Sequence, residues 1–386
     1  MKVLLCLLSD QHVPNLLSVH HYKPDQLVLI ESTAMRSRGV ACNFLNALKI
    51  GGLDYENSNR IEPLDAEDDL AAIRKALKTA YGRFPSGEWL ANATGGTKPM
   101  SIATHEFFKA LGGKIIYTNV SRPAQLMNLG DGTTETCSYQ LKIKEFLAGY
   151  GFESRKSDDK IANAECRAKG WIESATLLAR HCSNTEVLVL DDIERKRARD
   201  KGIELANERF AFPCERLRHI WLDDSPCRKL SKYEAEFLTG GWLEVFFWNL
   251  LQQHAKPLGI WDVQLGLEVG RCGDQSGNDF DVSFMHDYGL SMMECKSGSQ
   301  DHDPGSDILY KVEAVTRQFR ALRVRSYLVT TSSNVLDKDH KLKSSLRTRS
   351  EIYNCKILTA NDIVRLASES MTDDLVRSIL FGHAEK

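Results

Sequence analysis

The sequence predicts an α/β protein of more than one domain, and three observations carry that prediction. Strand-length apolar runs alternate with helix-period stretches through roughly the first 140 residues. A second set of helices and strands, in a different order, begins near residue 236. The full length of 386 residues also exceeds what one ordinary hydrophobic core organises.

Composition narrows the class. Hydrophobic residues make up 42% and charged residues 26%, as in soluble globular proteins. Lys plus Arg number 50 against 52 Asp plus Glu, for a formal net charge of −2. Affinity for nucleic acid must therefore come from a local patch or be switched on. The apolar run Val3 to Leu8 is too short for a signal peptide or a membrane span, and no later run is long enough. The ten cysteines form no CxxC pair and fall in apolar or strand-like segments. They read as reduced thiols of a cytoplasmic protein with no membrane partner, not as a disulfide framework or a zinc site.

In chain order, Val3-Leu4-Leu5-Cys6-Leu7-Leu8 is a buried strand, followed by Ser9-Asp10-Gln11 and a helix with Pro14 in its first turn. Leu27-Val28-Leu29-Ile30 is a second strand, ending at Glu31-Ser32-Thr33. Helical patterns cover Val40 to Leu48 and Asp68 to Tyr81. Trp89 to Ala93 then leads into Thr94-Gly95-Gly96-Thr97-Lys98-Pro99-Met100, and Ile115-Ile116-Tyr117 is a further strand. The alternation predicts a Rossmann-like domain over residues 1–150, whose ligand sits at the carboxyl ends of the strands. Ser9, Asp10, Ser32, Thr33 and the Thr94 to Lys98 turn all fall there.

Gly95 and Gly96 allow backbone N–H groups to face a ligand, Pro99 places a helix N-terminus beneath them, and Lys98 adds a cation. Together they make an anion cradle suited to phosphate. The same residues also suit a plain strand-to-helix turn. The spacing is neither GxGxxG nor GxxxxGK[ST], so neither NAD nor ATP is favoured.

Asp131-Gly132-Thr133-Thr134 is a turn leading into a strand-like Cys137 to Ile143, and Gly149-Tyr150-Gly151 marks a boundary. Residues 151–235 read as a mostly helical connecting region. Ala162 to His181 looks helical, Val187 to Leu190 strand-like, and Ile193 to Phe210 a charged helix. Its run Arg195-Lys196-Arg197-Ala198-Arg199 is expected to be a solvated face balanced by neighbouring acids.

Residues 236–386 form the last domain. Gly241 to Leu251 is a mostly buried helix, and Val263, Leu265, Leu267 and Val269 alternate with Gln264, Gly266 and Glu268 as a strand. A hairpin follows, from Asn278-Asp279-Phe280-Asp281-Val282 to Met293-Glu294-Cys295-Lys296. In its simplest register Asp281 lies near Glu294, while Glu294 and Lys296 share one face. Asp279, two residues earlier on the same strand, is the rival to Asp281. Ile308, Val312, Val315, Phe319 and Leu322 mark a further helix before the strand Ser326 to Thr331. Lys341-Leu342-Lys343 and Arg347-Thr348-Arg349 form a basic cluster placed to meet a phosphate backbone.

Two carboxylates about 4 Å apart repel by roughly 4 kcal/mol at an effective dielectric near 20, a cost that a divalent cation removes. Oxygen ligands suit Mg²⁺ or Mn²⁺. Lys296 beside them would stabilise phosphoryl charge, or orient or deprotonate a water, which is the chemistry of phosphodiester hydrolysis.

The order helix, three strands, helix, strand, with Asp281 and Glu294-x-Lys296 on the second and third strands, resembles the PD-(D/E)xK restriction-endonuclease-like nucleases. That likeness implies Mg²⁺ or Mn²⁺ on Asp281 and Glu294, with Glu244 on the first helix as a further acid. Phe280, not proline, precedes Asp281. The N-terminal domain with Thr94-Gly95-Gly96-Thr97-Lys98 is similar to the CRISPR-associated Rossmann fold, or CARF, sensor. The combination resembles the CARF-nuclease effectors of type III CRISPR systems.

The resemblance implies a homodimer binding a cyclic oligoadenylate, commonly cyclic tetraadenylate, and cleaving DNA or RNA, single strands first and duplexes by nicking. By motif, Gly95, Gly96, Thr97 and Lys98 become ligand contacts, and by location so do Ser9, Asp10 and the stretch Ser32 to Arg36, Thr33 included. Two other readings stay open: a ligand-responsive nucleic-acid-binding regulator with an inert nuclease fold, and an enzyme that degrades its own ring nucleotide.

Overall fold

The computed structural model describes residues 1–119, 121–182, 187–274, 277–298 and 324–382. The expected helix through Ile308 and Leu322 lies outside the described residues. The N-terminal sheet has strands β1 (Lys2–Leu7), β2 (Gln26–Ser32), β3 (Asn59–Leu64), β4 (Glu88–Asn92), β5 (Lys114–Thr118), β6 (Gln125–Asn128) and β7 (Thr134–Thr136) in the order β3-β2-β1-β4-β5-β6-β7. The first five in that order are parallel and the last two turn antiparallel.

Both faces of this sheet are covered, which explains its unbroken apolar strands. Leu4, Cys6, Leu27 and Leu29 pack with the helices Val13–Tyr22 and Val40–Ile50, while Val3, Leu5, Val28 and Ile30 pack with Leu70–Gly82 and Lys98–Ala110. The strand order reverses between β1 and β4, so their carboxyl ends open a crevice.

The second sheet is built from β8 (Phe152–Ser154), β11 (Ile260–Arg271), β12 (Gly277–His286), β13 (Gly289–Lys296), β14 (Val324–Thr330) and β15 (Cys355–Leu358), in the order β15-β14-β13-β12-β11-β8. A separate antiparallel pair joins β9 (Ile203–Ala206) to β10 (Cys227–Leu230). The helix Trp242–Gln253 covers one face, packing Trp242, Leu243 and Phe247 with Val282, Phe284 and Met293. Phe280, Met285, Leu290 and Met292 of this sheet belong instead to the same core as Leu4, Phe44 and Phe146 of the N-terminal domain. One apolar core thus spans both sheets and ties them mechanically.

Several local expectations differ from the structure. Cys137 to Ile143 is not a strand: β7 ends at Thr136 and a helix starts at Ile143. The segment is held instead from the second sheet, by Trp261 Nε1 donating to the Leu141 carbonyl at 2.7 Å and Tyr288 Oη to the Tyr139 carbonyl at 3.0 Å. The charged helix stops at Lys201, because Gly202 takes φ of 80° and the chain turns into β9. Val187 to Leu190 contributes a single bridge, Leu188 to Phe210. The helical stretch after Ala162 is two helices, Asp158–Lys169 and Ile172–Arg180, broken at Gly170.

Residues of the connecting region, among them Ala168, Leu178 and Trp221, pack into the same core as Trp242. Among the described residues no helix is long and apolar enough to cross a membrane.

Candidate active site

The hairpin turns through Asp287 and Tyr288, both at positive φ, 50° and 57°, the backbone of a two-residue type I′ turn. That turn fixes the register, which runs from His286 opposite Gly289 to Val282 opposite Met293 and then stops. Asp281 is therefore level with Glu294 one step past the last ladder pair, where the strands part. Its Oδ2 accepts a hydrogen bond from the Cys295 backbone N–H at 2.6 Å, replacing the missing ladder bond with a carboxylate.

Glu294 and Lys296 meet at 2.8 Å between Oε1 and Nζ. Glu294 is only 5% exposed. Burial opposes the Lys296 ammonium, but the charge and hydrogen bond of Glu294, with Asp281 behind, outweigh it and raise its pKa. The buried Cys295 thiol is held far above its ordinary range, by burial first and then by Asp281, Glu244 and Glu294, so it stays neutral.

Glu244 lies in the first turn of Trp242–Gln253. Burial pushes its carboxyl well above the usual range, and Asp281, Glu236 and Glu294 push the same way against Lys296. The helix start comes close because Gly240, at φ of 152°, has no side chain: a Cβ there would stand 2.8 Å from Ser297 Oγ. Asp281, Glu294, Lys296 and Glu244 thus share one site. Asp279, the rival, is 67% exposed and pairs with Lys156 at 3.4 Å.

All donors here are carboxylate oxygens, the ligand type that Mg²⁺ and Mn²⁺ take, and the crowding that raises the Glu244 pKa is what a cation relieves. Among the described residues no three side chains already converge in metal-ligand geometry. Glu294 is turned onto Lys296 and Asp281 onto Cys295, so the donor chemistry fits while the side chains are engaged with each other.

In the N-terminal domain, Ser9, Asp10, Ser32, Gly95, Gly96 and Thr97 line a cavity of about 340 Å³ at the crevice between β1 and β4. Gly95 is required by close approach, since a Cβ would lie 2.1 Å from the Leu7 carbonyl oxygen. Thr97 caps the helix Lys98–Ala110, accepting from the Met100 N–H at 3.4 Å, and its hydroxyl donates to the Glu67 carbonyl at 3.0 Å. Asp10 is paired with Arg38. Thr33 and Lys98 stand outside the lining.

Met35, within the Ser32 to Arg36 stretch, also lines the cavity, whereas sequence reading missed Gln11, Glu67 and Met100 there, and Lys156, Lys160, Arg167 and Tyr233 beside Glu244. None carries a motif; position alone assigns them. Of the basic runs, Arg199 bonds Thr239 Oγ1 and its carbonyl at 2.8 and 2.7 Å, next to Gly240. Lys341, Lys343 and Arg347 border an open hollow beyond β14.

Comparison with known proteins adds the family. Among solved structures, Can2 from Sulfobacillus thermosulfidooxidans in complex with cyclic tetra-adenylate is 19% identical, with a TM-score of 0.67 over 95% of this chain and 98% of that one. Protein VC1899 from Vibrio cholerae is 16% identical, with a TM-score of 0.70 over 95% and 96%. A type III CRISPR defence DNA nuclease activated by cyclic oligoadenylate is 16% identical, with a TM-score of 0.54 over 88% of this chain and 47% of that one.

These identities speak to the fold alone. No curated protein matches. Residues 3–146 match the Card1 CARF domain and residues 231–364 the Card1-like endonuclease domain. The chain therefore belongs to the Card1 family, a CARF domain fused to a Card1-like endonuclease domain.

Proposed function

We propose that this chain is a cyclic-oligoadenylate-activated, metal-dependent endonuclease of type III CRISPR defence, working as a homodimer on phosphodiester bonds of DNA or RNA. The observation that carries the reading is the gathering of Asp281, Glu294, Glu244 and Lys296 where the β12–β13 ladder ends, within a Card1-like endonuclease domain.

Asp281 and Glu294 would hold Mg²⁺ or Mn²⁺, with Glu244 as the third acid. Such an ion supplies charge neutralisation and a more acidic water. Lys296, its pKa raised, stays an ammonium, which suits it to a phosphoryl oxygen and to orienting water, not to deprotonating it. Burial and then the neighbouring carboxylates raise the Glu244 pKa, a penalty that a cation at the site would relieve.

The cavity between β1 and β4 would take the activator, with Ser9, Asp10, Ser32, Gly95, Gly96 and Thr97 as contacts and Lys98 and Thr33 reaching from the rim. A cavity of about 340 Å³ is at the small end of ligand sites, too small for a whole cyclic tetranucleotide. Two protomers sharing one ring about a two-fold axis resolve that mismatch. Activation then requires that the ring bind one dimer geometry more tightly than the other. The continuous core between the sheets would make each protomer move as a unit.

The test is cleavage of a supercoiled plasmid and of labelled single-stranded DNA and RNA, with the ring, in Mn²⁺ or in excess EDTA. Cleavage that EDTA abolishes supports the reading; cleavage undiminished by EDTA refutes the metal, and no cleavage of any substrate refutes the nuclease.

A further inference from the structure

A cleft of about 450 Å³ opens onto Glu244 and onto Gly266, which the β11–β12 register sets level with Asp281. Its far wall is the helix Asp158–Lys169, whose Lys160, Ala164, Arg167 and Ala168 recur at helical spacing and line the cleft on one face. Lys156, just before this helix, stands over Gly266: its Nζ is 3.1 Å from where a Cβ would lie. The wall therefore presents three cations along one side of a path that ends at the carboxylates.

Its floor includes Tyr233, an exposed ring with the Arg167 guanidinium 4.0 Å from its centroid. Among the described residues neither Lys160 nor Arg167 has an acidic partner within salt-bridge distance, while Lys156 spans to Asp279 at 3.4 Å. The acids of the cleft, Glu236 and Glu244, lie at its catalytic end.

An anionic occupant along the cationic wall and a planar group on the ring together describe a nucleotide strand with an unpaired base. We propose that the cleft is a subsite for the nucleotides flanking the scissile phosphodiester of a single strand. Lys160 and Arg167 hold phosphates, and Tyr233, backed by Arg167, stacks a base. A duplex, whose bases are already stacked, leaves this ring unused. This inference rests on the nuclease reading for its catalytic end, while binding at the subsite is measured without cleavage.

The experiment is fluorescence anisotropy of a labelled single-stranded 12-mer DNA with the full chain, in excess EDTA and with cyclic tetraadenylate, over a salt series. Lys160→Ala/Arg167→Ala is expected to weaken binding about tenfold or more and to flatten the log–log salt slope by about 1.4, at roughly 0.7 per phosphate contact. Tyr233→Ala should weaken binding about fivefold or more with the slope unchanged, and Tyr233→Phe should restore it.

These side chains lie at the surface of the cleft, and an unchanged melting temperature checks that each variant is folded. Affinity within twofold of the parent in either the double variant or Tyr233→Ala overturns the proposal. Binding that behaves as expected in a protein that cuts nothing would uphold the subsite and refute the nuclease reading instead.

Discussion

Asp281 has two jobs that one pair of substitutions separates. Its Oδ2 closes the fork between β12 and β13 through the Cys295 N–H at 2.6 Å, and its charge faces Glu244 and Lys296. Asp281→Ala removes the acceptor and leaves a partly buried N–H unpaired. A hydrogen bond to a charged group is worth about 1.5–3 kcal/mol net, and the partial exposure of Asp281 argues for the lower half of that range.

Asp281→Asn keeps a carbonyl oxygen in the same place and removes the repulsion that Glu244 suffers, so its cost should stay below about 1 kcal/mol. For a domain of this size about 2 kcal/mol corresponds to roughly 4–8 °C in melting temperature. The expected ranking in a thermal melt is therefore wild type close to Asn, with Ala several degrees below. Cleavage should rank differently, with both variants losing on the order of 10²-fold or more, because an amide cannot replace the anion. If Asn and Ala melt together, the Cys295 bond is not what Asp281 contributes. If Asn keeps more than about a tenth of the cleavage rate, as a tenfold loss corresponds to only about 1.4 kcal/mol, Asp281 is not in the catalytic set.

Two further expectations concern the N-terminal domain. Gly95→Ala places a Cβ 2.1 Å from the Leu7 carbonyl oxygen, so the cradle must shift. The cost should be about 1–3 kcal/mol of stability, with at least about a tenfold loss of cyclic tetraadenylate affinity by calorimetry. Gly82→Ala, at a helix end with open space around it, should instead stabilise by several tenths of a kcal/mol, about the helix-propensity gain.

The third concerns pH. Burial, with Arg38 adding to it and Asp10 opposing, lowers the His12 pKa to about 4. The folded chain thus binds fewer protons there than the unfolded one, so stability is complete above pH 6.5 and falls as pH drops toward 4. The loss amounts to about 3 kcal/mol at 1.36 kcal/mol per unit. His12→Phe, which keeps a ring between Phe44 and Tyr150, should flatten denaturant midpoints over that window. Glu135, lowered to about 2 mainly by Lys114, contributes stability that is fully present above pH 4.5 and is lost only as pH falls from there toward 2.

The hairpin of the candidate site was legible because its information is local. Period-two alternation gave the strands, and the Asp287-Tyr288 turn left one register that sets Asp281 level with Glu294. Glu244 was legible only through the likeness to the PD-(D/E)xK nucleases, which implies an acid on the first helix. Strands β3 and β6 were not, because residues such as Arg60, Glu62 and Met127 leave too little apolar alternation to read.

The cationic wall was illegible for a different reason. Lys160 and Arg167 matter only because β8 pairs with the end of β11 and swings the following helix beside Glu244, a contact between distant parts of the chain. Cys137 to Ile143 misled because its buried apolar residues are covered by Trp261 and Tyr288 from the second sheet, not by a neighbouring strand.

The most direct test of the central claim is the initial rate of single-strand cleavage in Mn²⁺ against cyclic tetraadenylate concentration, for the wild type and for Lys296→Ala. The account predicts a rate that rises with the ring and saturates near one ring per two chains, with Lys296→Ala flat at all concentrations. A wild-type rate independent of the ring, or Lys296→Ala activated like the wild type, would contradict it.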